Sequence, residues 1–321
     1  MQGKFVDRAD VHEHIMYHVQ KLRNGRSYMT RRVDAKQGDT VLFSVSMSFQ
    51  LREPNEPTYF VPSPKVVNLD DFQSLSKDLY DPYVSLRQVV HPEQCMHAHM
   101  RYHNILHSMR EDHPMHELLS QWTHDHTHVF PMQSRPAIPT MFDKDGHMAP
   151  FSKTAYWLSS RGYCRGPQSL QQAMLGFHVD QFFLVNMNTD VPSYTTTMMA
   201  SLDHTMWFYN DFQMCDWLLF VLDNQALNNG RALITGRIYR LDGVLVAVVV
   251  RFFCTHLVRR KRACIVSSPA SRVYRHVESG EQDPTLGPYD IGAGFCAKLP
   301  GVLCTLRLSL IHISEPTRRR G

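Results

Sequence analysis

The feature that most constrains this chain is a repeat. Residues 14–50 and 217–250 carry the same succession of strand-like runs and turns. Gly25-Arg26 corresponds to Gly230-Arg231, Thr30 to Thr235, Arg32-Val33 to Arg237-Ile238, and Gly38 to Gly243. Order and turns agree throughout, which marks a duplicated unit. The runs in the first copy are residues 14–23, 27–35 and 40–50, the last with Val41, Phe43, Val45, Met47 and Phe49 on one face. Those in the second are 217–224, 231–241 and 244–250. Asn24-Gly25, Gln37-Gly38-Asp39, Asn228-Asn229-Gly230 and Asp242-Gly243 separate them, glycine supplying the positive φ that tight hairpins need. Each copy is expected to be a half-buried antiparallel meander.

Ahead of the second copy lie a helix and a further strand. Pro167 stands where a helix can start. Leu170, Ala173, Met174, Phe177, Asp180, Phe183 and Leu184 follow at three- and four-residue spacing, a helical stripe. Asp180 interrupts its apolar character. A carboxylate there is costly without partners, so it sits near the wet end of the helix or has a function. Ser201-Leu202-Asp203-His204-Thr205-Met206-Trp207-Phe208-Tyr209 reads as one extended strand. Alternation places Ser201, Asp203, Thr205 and Trp207 on one face, and Leu202, His204, Met206 and Phe208 on the other. Ser201, Asp203 and His204 invite a nucleophilic triad, but neighbours on a strand point to opposite faces, so none forms.

Composition sets the outer bounds. With 321 residues the chain can hold two ordinary domains. No run of about 18 apolar residues marks a membrane span, and no secretory signal is visible at the N-terminus. The seven cysteines are scattered with no CxxC pair, which fits reduced, intracellular thiols. The net charge of +4 divides unevenly. From Arg251 onward there are 12 Lys+Arg and 5 Asp+Glu, against 22 and 25 in residues 1–250. The body is mildly acidic and the basic excess lies in the tail. A nucleic-acid-binding tail is the weaker account of that excess, because the tail lacks periodicity and residues 308–318 (LSLIHISEPTR) read as a translated sequencing adapter. Residues 251–321 are therefore expected to be read-through or intron sequence, largely disordered or poorly packed apart from the few that extend the 244–250 strand. Ten of the nineteen histidines fall between His91 and His128. His99, His103 and His107 share a helix face, a spacing that can chelate a metal, but without HExxH or a cysteine cluster a solvated connecting helix is expected.

The strand wording SLDHTMWF closely resembles the signature strand of the acyl-CoA thioesterase II family, the double-hotdog thioesterases of bacteria and peroxisomes. GFHVDQFFL resembles that family's central hotdog helix, and RNGRSYMTRRVDAKQGD with FSVSMSFQ resembles the end of its first hotdog. The resemblance covers about residues 5–50 and 130–250. It implies an α+β double hotdog, each antiparallel sheet wrapped on a central helix, with the first hotdog incomplete because the family's first helix and strands have no counterpart before Met1. The implied division is 1–90 as the remnant of the first hotdog, 91–129 as a His-rich linker, 130–250 as the second hotdog and 251–321 as a non-family tail. The implied reaction is hydrolysis of fatty acyl-CoA to fatty acid and CoA, without cofactor or metal. The partner is the acyl-CoA substrate, with no nucleic acid, and the compartment is the peroxisomal matrix or the cytosol. Chain-length preference and homo-oligomerisation are left open.

Carried over by motif, the catalytic residues are Asp180 and Ser201. The glutamine that completes the family's set has Arg251 at its position. A carboxylate suits activation of water, and amide or backbone N–H donors suit the developing oxyanion. Arginine is longer and permanently charged. Beside Asp180 it is expected to pair with the carboxylate and weaken it as a base. The alternative reading is a catalytically dead hotdog that binds acyl-CoA or a partner subunit. Met174, Phe177, Met198 and Phe208 are candidates to line an acyl slot or simply core. Arg23, Arg26, Arg31 and Arg32 are candidates to meet CoA phosphates or a solvated strand face.

Overall fold

The computed structural model describes residues 1–53, 56–72, 86–108, 116–138, 153–162, 164–186 and 194–259. The strands are β1 (Gln2–Phe5), β2 (Met16–Asn24), β3 (Tyr28–Gln37), β4 (Thr40–Gln50), β5 (Lys65–Val67), β6 (Gln88–Val90), β7 (Met132–Pro136), β8 (Lys153–Ser160), β9 (Tyr194–Phe208), β10 (Leu218–Asn228), β11 (Arg231–Arg240) and β12 (Leu245–Arg259). The helices are α1 (Ala98–Ser108), α2 (His116–His124) and α3 (Gln168–Asn186).

Both copies of the repeat fold as antiparallel meanders and join one ten-stranded sheet in the order β2-β3-β4-β1-β9-β12-β11-β10-β8-β7. From the β1–β9 seam outward, the order reads the same in both directions for four strands. Each copy thus covers one edge of the other. β1 makes the seam, pairing Gly3 with Val45 on one side and with His204 on the other. Of the turn glycines predicted from the repeat, Gly38, Gly230 and Gly243 have φ of 54°, 65° and 84°, whereas Gly25 does not take the expected positive φ.

The two meanders are not equally covered. β2 is exposed along its whole length, with Val19 56% exposed, so the half-buried strand expected at 14–23 is an edge strand. Its alternation has no second layer to meet among the described residues. The second meander is different. α3 lies across it and contributes Leu175, Phe177, Val179, Phe182 and Phe183 to a core shared with Trp157, Phe220, Ile238, Val249 and Phe253. Phe182 packs against Tyr156 with the rings tilted and their centroids 4.6 Å apart, and meets Phe220 edge-on.

Residues 51–90 contain a short parallel pair, β5 with β6. Trp157 donates to the Val90 carbonyl at 2.7 Å and so ties β6 to the main core. The His-rich segment forms α1 and α2, followed by a π-helical turn over Asp125–Val129. Among the described residues no three His, Cys, Asp or Glu side chains converge on a common point. β12 runs past Arg251 to Arg259 and stays paired with β9, so the strand does not stop at the break in composition. Residues 260–321, most of the expected tail, lie outside the described residues.

Close packing gives one direct prediction. A Cβ on Gly236 in β11 would lie 2.3 Å from Phe220 Cε2 and 2.9 Å from Val249 Cγ1. Both neighbours are fully buried, so Gly236→Ala is expected to cost about 1–3 kcal/mol through overpacking. A lower urea midpoint would confirm this. An unchanged midpoint would mean that Phe220 turns aside freely.

Candidate functional site

The site is built where α3 crosses β9 and β12. Pro167 accepts from Leu170 N at 3.0 Å and from Gln171 N at 3.2 Å, the first contacts of the helical turn. Gln171 is buried, donates to the Cys164 carbonyl at 3.1 Å and accepts from Met214 N at 2.7 Å. Those bonds pin the start of the helix to the loop before β10. From Phe177 to Asp180 and again at Phe182 and Phe183 the helix is buried at consecutive positions, which is the pattern of a helix wrapped on all sides. Asp180 therefore lies in the interior, not at a wet end, and is 5% exposed.

Its partner comes from β12. The Arg251 side chain is 2% exposed and its Nη1 forms an ion pair with Asp180 Oδ1. The same Nη1 donates to His204 Nδ1 at 2.8 Å, and Nη2 donates to Ser201 Oγ. The guanidinium lies 5.0 Å from the Phe5 ring centroid and 5.5 Å from that of Phe253, close enough for cation–π attraction. The three candidate residues thus meet, with Arg251 between the other two. His204 and Phe5 join them and were not expected. Burial pushes the Arg251 guanidinium down to about 9, which leaves it charged at neutral pH. Held by that cation, Asp180 is favoured as the ion, and the Ser201 oxygen is already occupied as an acceptor.

The facing of the Ser201 strand is corrected by a bulge. β12 pairs Arg251 with His204 and Phe252 with Asp203, but Phe253 with Ser201, so Leu202 is the extra residue. A bulge shifts the alternation by one position. Ser201 and His204 consequently reach the same guanidinium, although simple alternation puts them on opposite faces. Asp203 turns away and pairs with Lys4 at 2.8 Å, so no Ser-His-Asp triad is assembled. Of the acyl-slot candidates, Phe177 is buried, and Met174 and Phe208 are partly buried against the core. The side chain of Met198 lies outside those described. Arg32 is engaged with Asp34 and Arg31 with the Arg23 carbonyl.

Two family models match the chain, the acyl-CoA thioesterase N-terminal domain over residues 1–50 and the acyl-CoA thioesterase C-terminal domain over residues 108–252. Together they span both meanders, α3, and the positions of Asp180, Ser201 and Arg251. The chain belongs to the acyl-CoA thioesterase II family. Among its relatives, acyl-coenzyme A thioesterase 8 of Mus musculus is 25% identical over 243 residues, covering 75% of this chain and 67% of its own length. Acyl-CoA thioesterase 2 of Haemophilus influenzae is 27% identical over 94 residues, 28% of this chain and 33% of its own. An acyl-CoA thioesterase II from Mycobacterium marinum superposes with a TM-score of 0.54 at 23% identity, covering 79% of this chain and 78% of that one. A protein with hotdog fold from Alicyclobacillus acidocaldarius superposes with a TM-score of 0.51 at 14% identity, covering 79% and 77%. At such identities the superpositions speak for the fold alone, and that fold is the hotdog.

Within this thioesterase fold, His204 makes a prediction about acid stability. Burial, and then the nearby N-terminal ammonium, push its imidazole from the ordinary 6.5 down to about 4. Between those pH values the unfolded chain holds a proton that the folded chain does not, so stability rises with pH there. The difference corresponds to about 3 kcal/mol lost on acidification from pH 6.5 to 4, with no further loss from this group below that range. Urea titrations at stepped pH should show the slope in the parent and a flatter one in His204→Asn. Equal slopes would show that other groups carry the acid response.

Proposed function

We propose that the chemistry of this site is hydrolysis of fatty acyl-CoA thioesters to free fatty acid and CoA, and that Arg251 keeps the reaction slow in this chain. The single observation that carries the reading is the junction of Asp180, Ser201 and residue 251 in one buried cluster. A carboxylate and a hydroxyl that meet the same side chain suit the orientation and deprotonation of a water. The guanidinium now occupies both. Membership of the acyl-CoA thioesterase family supplies the substrate class, and fatty acid metabolism in the peroxisomal matrix or cytosol follows from the family resemblance. No described helix is long and apolar enough to cross a membrane.

In this reading residues 130–250, with the continuation of β12, are one hotdog around α3. Residues 1–90 belong to a first hotdog, and 91–129 link the two. The symmetric strand order supports it. The closed Asp180–Arg251 pair also favours a second reading, a hotdog that binds acyl-CoA without cleaving it. The deciding experiment measures release of free CoA thiol from hexadecanoyl-CoA by the chain and by its Arg251→Gln variant. Turnover that appears or rises in the variant supports the hydrolase. Binding without turnover in both supports the binder, and neither binding nor turnover overturns both readings.

A further inference from the structure

We infer that His204 is a positioning residue of this site: its neutral imidazole, accepting at Nδ1, fixes how the side chain at position 251 is presented to Asp180 and Ser201. As a statement about catalysis this rests on the hydrolase reading above, while the contact itself does not.

Arginine has only donors, so the atom that meets Arg251 Nη1 at 2.8 Å must be an unprotonated acceptor. That assigns the imidazole proton to Nε2. His204 and Arg251 are also direct cross-strand partners. Whatever side chain occupies position 251 leaves the backbone opposite His204, and opposed side chains on one face lie about 4.5–5.5 Å apart at Cβ. The imidazole is itself held. It is 5% exposed, and the Phe183 ring of α3 meets it edge-on at 6.3 Å and 85°. The bulge at Leu202 brings Ser201 onto the same guanidinium. One histidine, fixed by the core, therefore sets the angle at which Nη1 meets Asp180 and Nη2 meets Ser201. A glutamine at 251 would present its amide N–H groups to the same acceptor, leaving one of them for the reacting carbonyl.

The test compares His204→Phe, which keeps the ring and removes the acceptor, with His204→Asn, which offers an amide oxygen in place of Nδ1. In the full-length protein with 15N-arginine, the Arg251 Nη signals should be separate and slowly exchanging in the parent and in His204→Asn. In His204→Phe they should merge. Separate signals in a folded His204→Phe would overturn the inference. If that variant does not fold, the 15N-histidine spectrum of the parent decides, because a proton on Nδ1 of His204 overturns it equally. In the Arg251→Gln background, His204→Phe should lower kcat on the order of 100-fold, the cost of an ångström-scale misplacement. KM should stay unchanged, and His204→Asn should recover most of the rate. Absence of any turnover in Arg251→Gln would remove the hydrolase reading, and the arginine spectra would still decide the positioning role.

Discussion

Replacing Arg251 with glutamine is expected to raise the rate of long-chain acyl-CoA hydrolysis by about 100- to 1000-fold, the range associated with one well-placed oxyanion donor. Two effects act together. Removing the guanidinium frees Ser201 Oγ and the Asp180 carboxylate, both now engaged by Arg251. It also removes the cation that favours the ionised carboxylate. Left buried in the interior at 5% exposure, Asp180 becomes a stronger base, because desolvation disfavours its charged form. Glutamine offers N–H donors without a net charge, and His204 remains opposite it in the ladder. Thiol release from hexadecanoyl-CoA gives kcat and kcat/KM for parent and variant. Adding Asp180→Asn or Ser201→Ala to the Arg251→Gln chain should remove most of the gain while the melting transition persists. Equal rates in the parent and Arg251→Gln would place the reactive centre elsewhere.

The second large effect is on stability. Asp180→Asn in the unaltered chain keeps the shape of the side chain but leaves the Arg251 charge buried without its counter-ion. Breaking a buried pair in this way typically costs about 3–5 kcal/mol, a large part of the stability of an ordinary domain. The loss should appear as a lower guanidinium-chloride midpoint with little change in slope. Removing both charges is a different experiment. Asp180→Leu combined with Arg251→Met fills the same space with apolar atoms and should restore most of the loss or exceed the parent, since the desolvation of two ions is then avoided. The Lys4–Asp203 pair is the internal contrast. Its lysine side chain is 68% exposed, and such surface pairs contribute about 0–1 kcal/mol. A loss below 1 kcal/mol for Asp180→Asn would show that water reaches the guanidinium when its partner is gone.

Much of this arrangement was written in local pattern. The duplicated turns placed Gly38 and Gly243 correctly, the three- and four-residue spacing located α3, and the family wording singled out Asp180 and Ser201. Those signals act over a few residues, through backbone sterics and the side-chain period, and so survive in the sequence. The facing of Ser201 did not. Alternation along 201–209 holds only for a regular ladder, and the extra residue at Leu202 exists because β9 pairs with β12, some fifty residues later in the chain. Nor could the stripe on α3 say that Asp180 is interior, since that depends on which surfaces close around the helix. Phe5 carried no sequence signal at all. It reaches Arg251 because β1 inserts at the seam between the two meanders. The sequence by itself determined the repeat, the helix and the chemistry of the side chains. Only the tertiary structure decided which of them share one buried point, because register and burial are set by contacts between segments far apart in the chain.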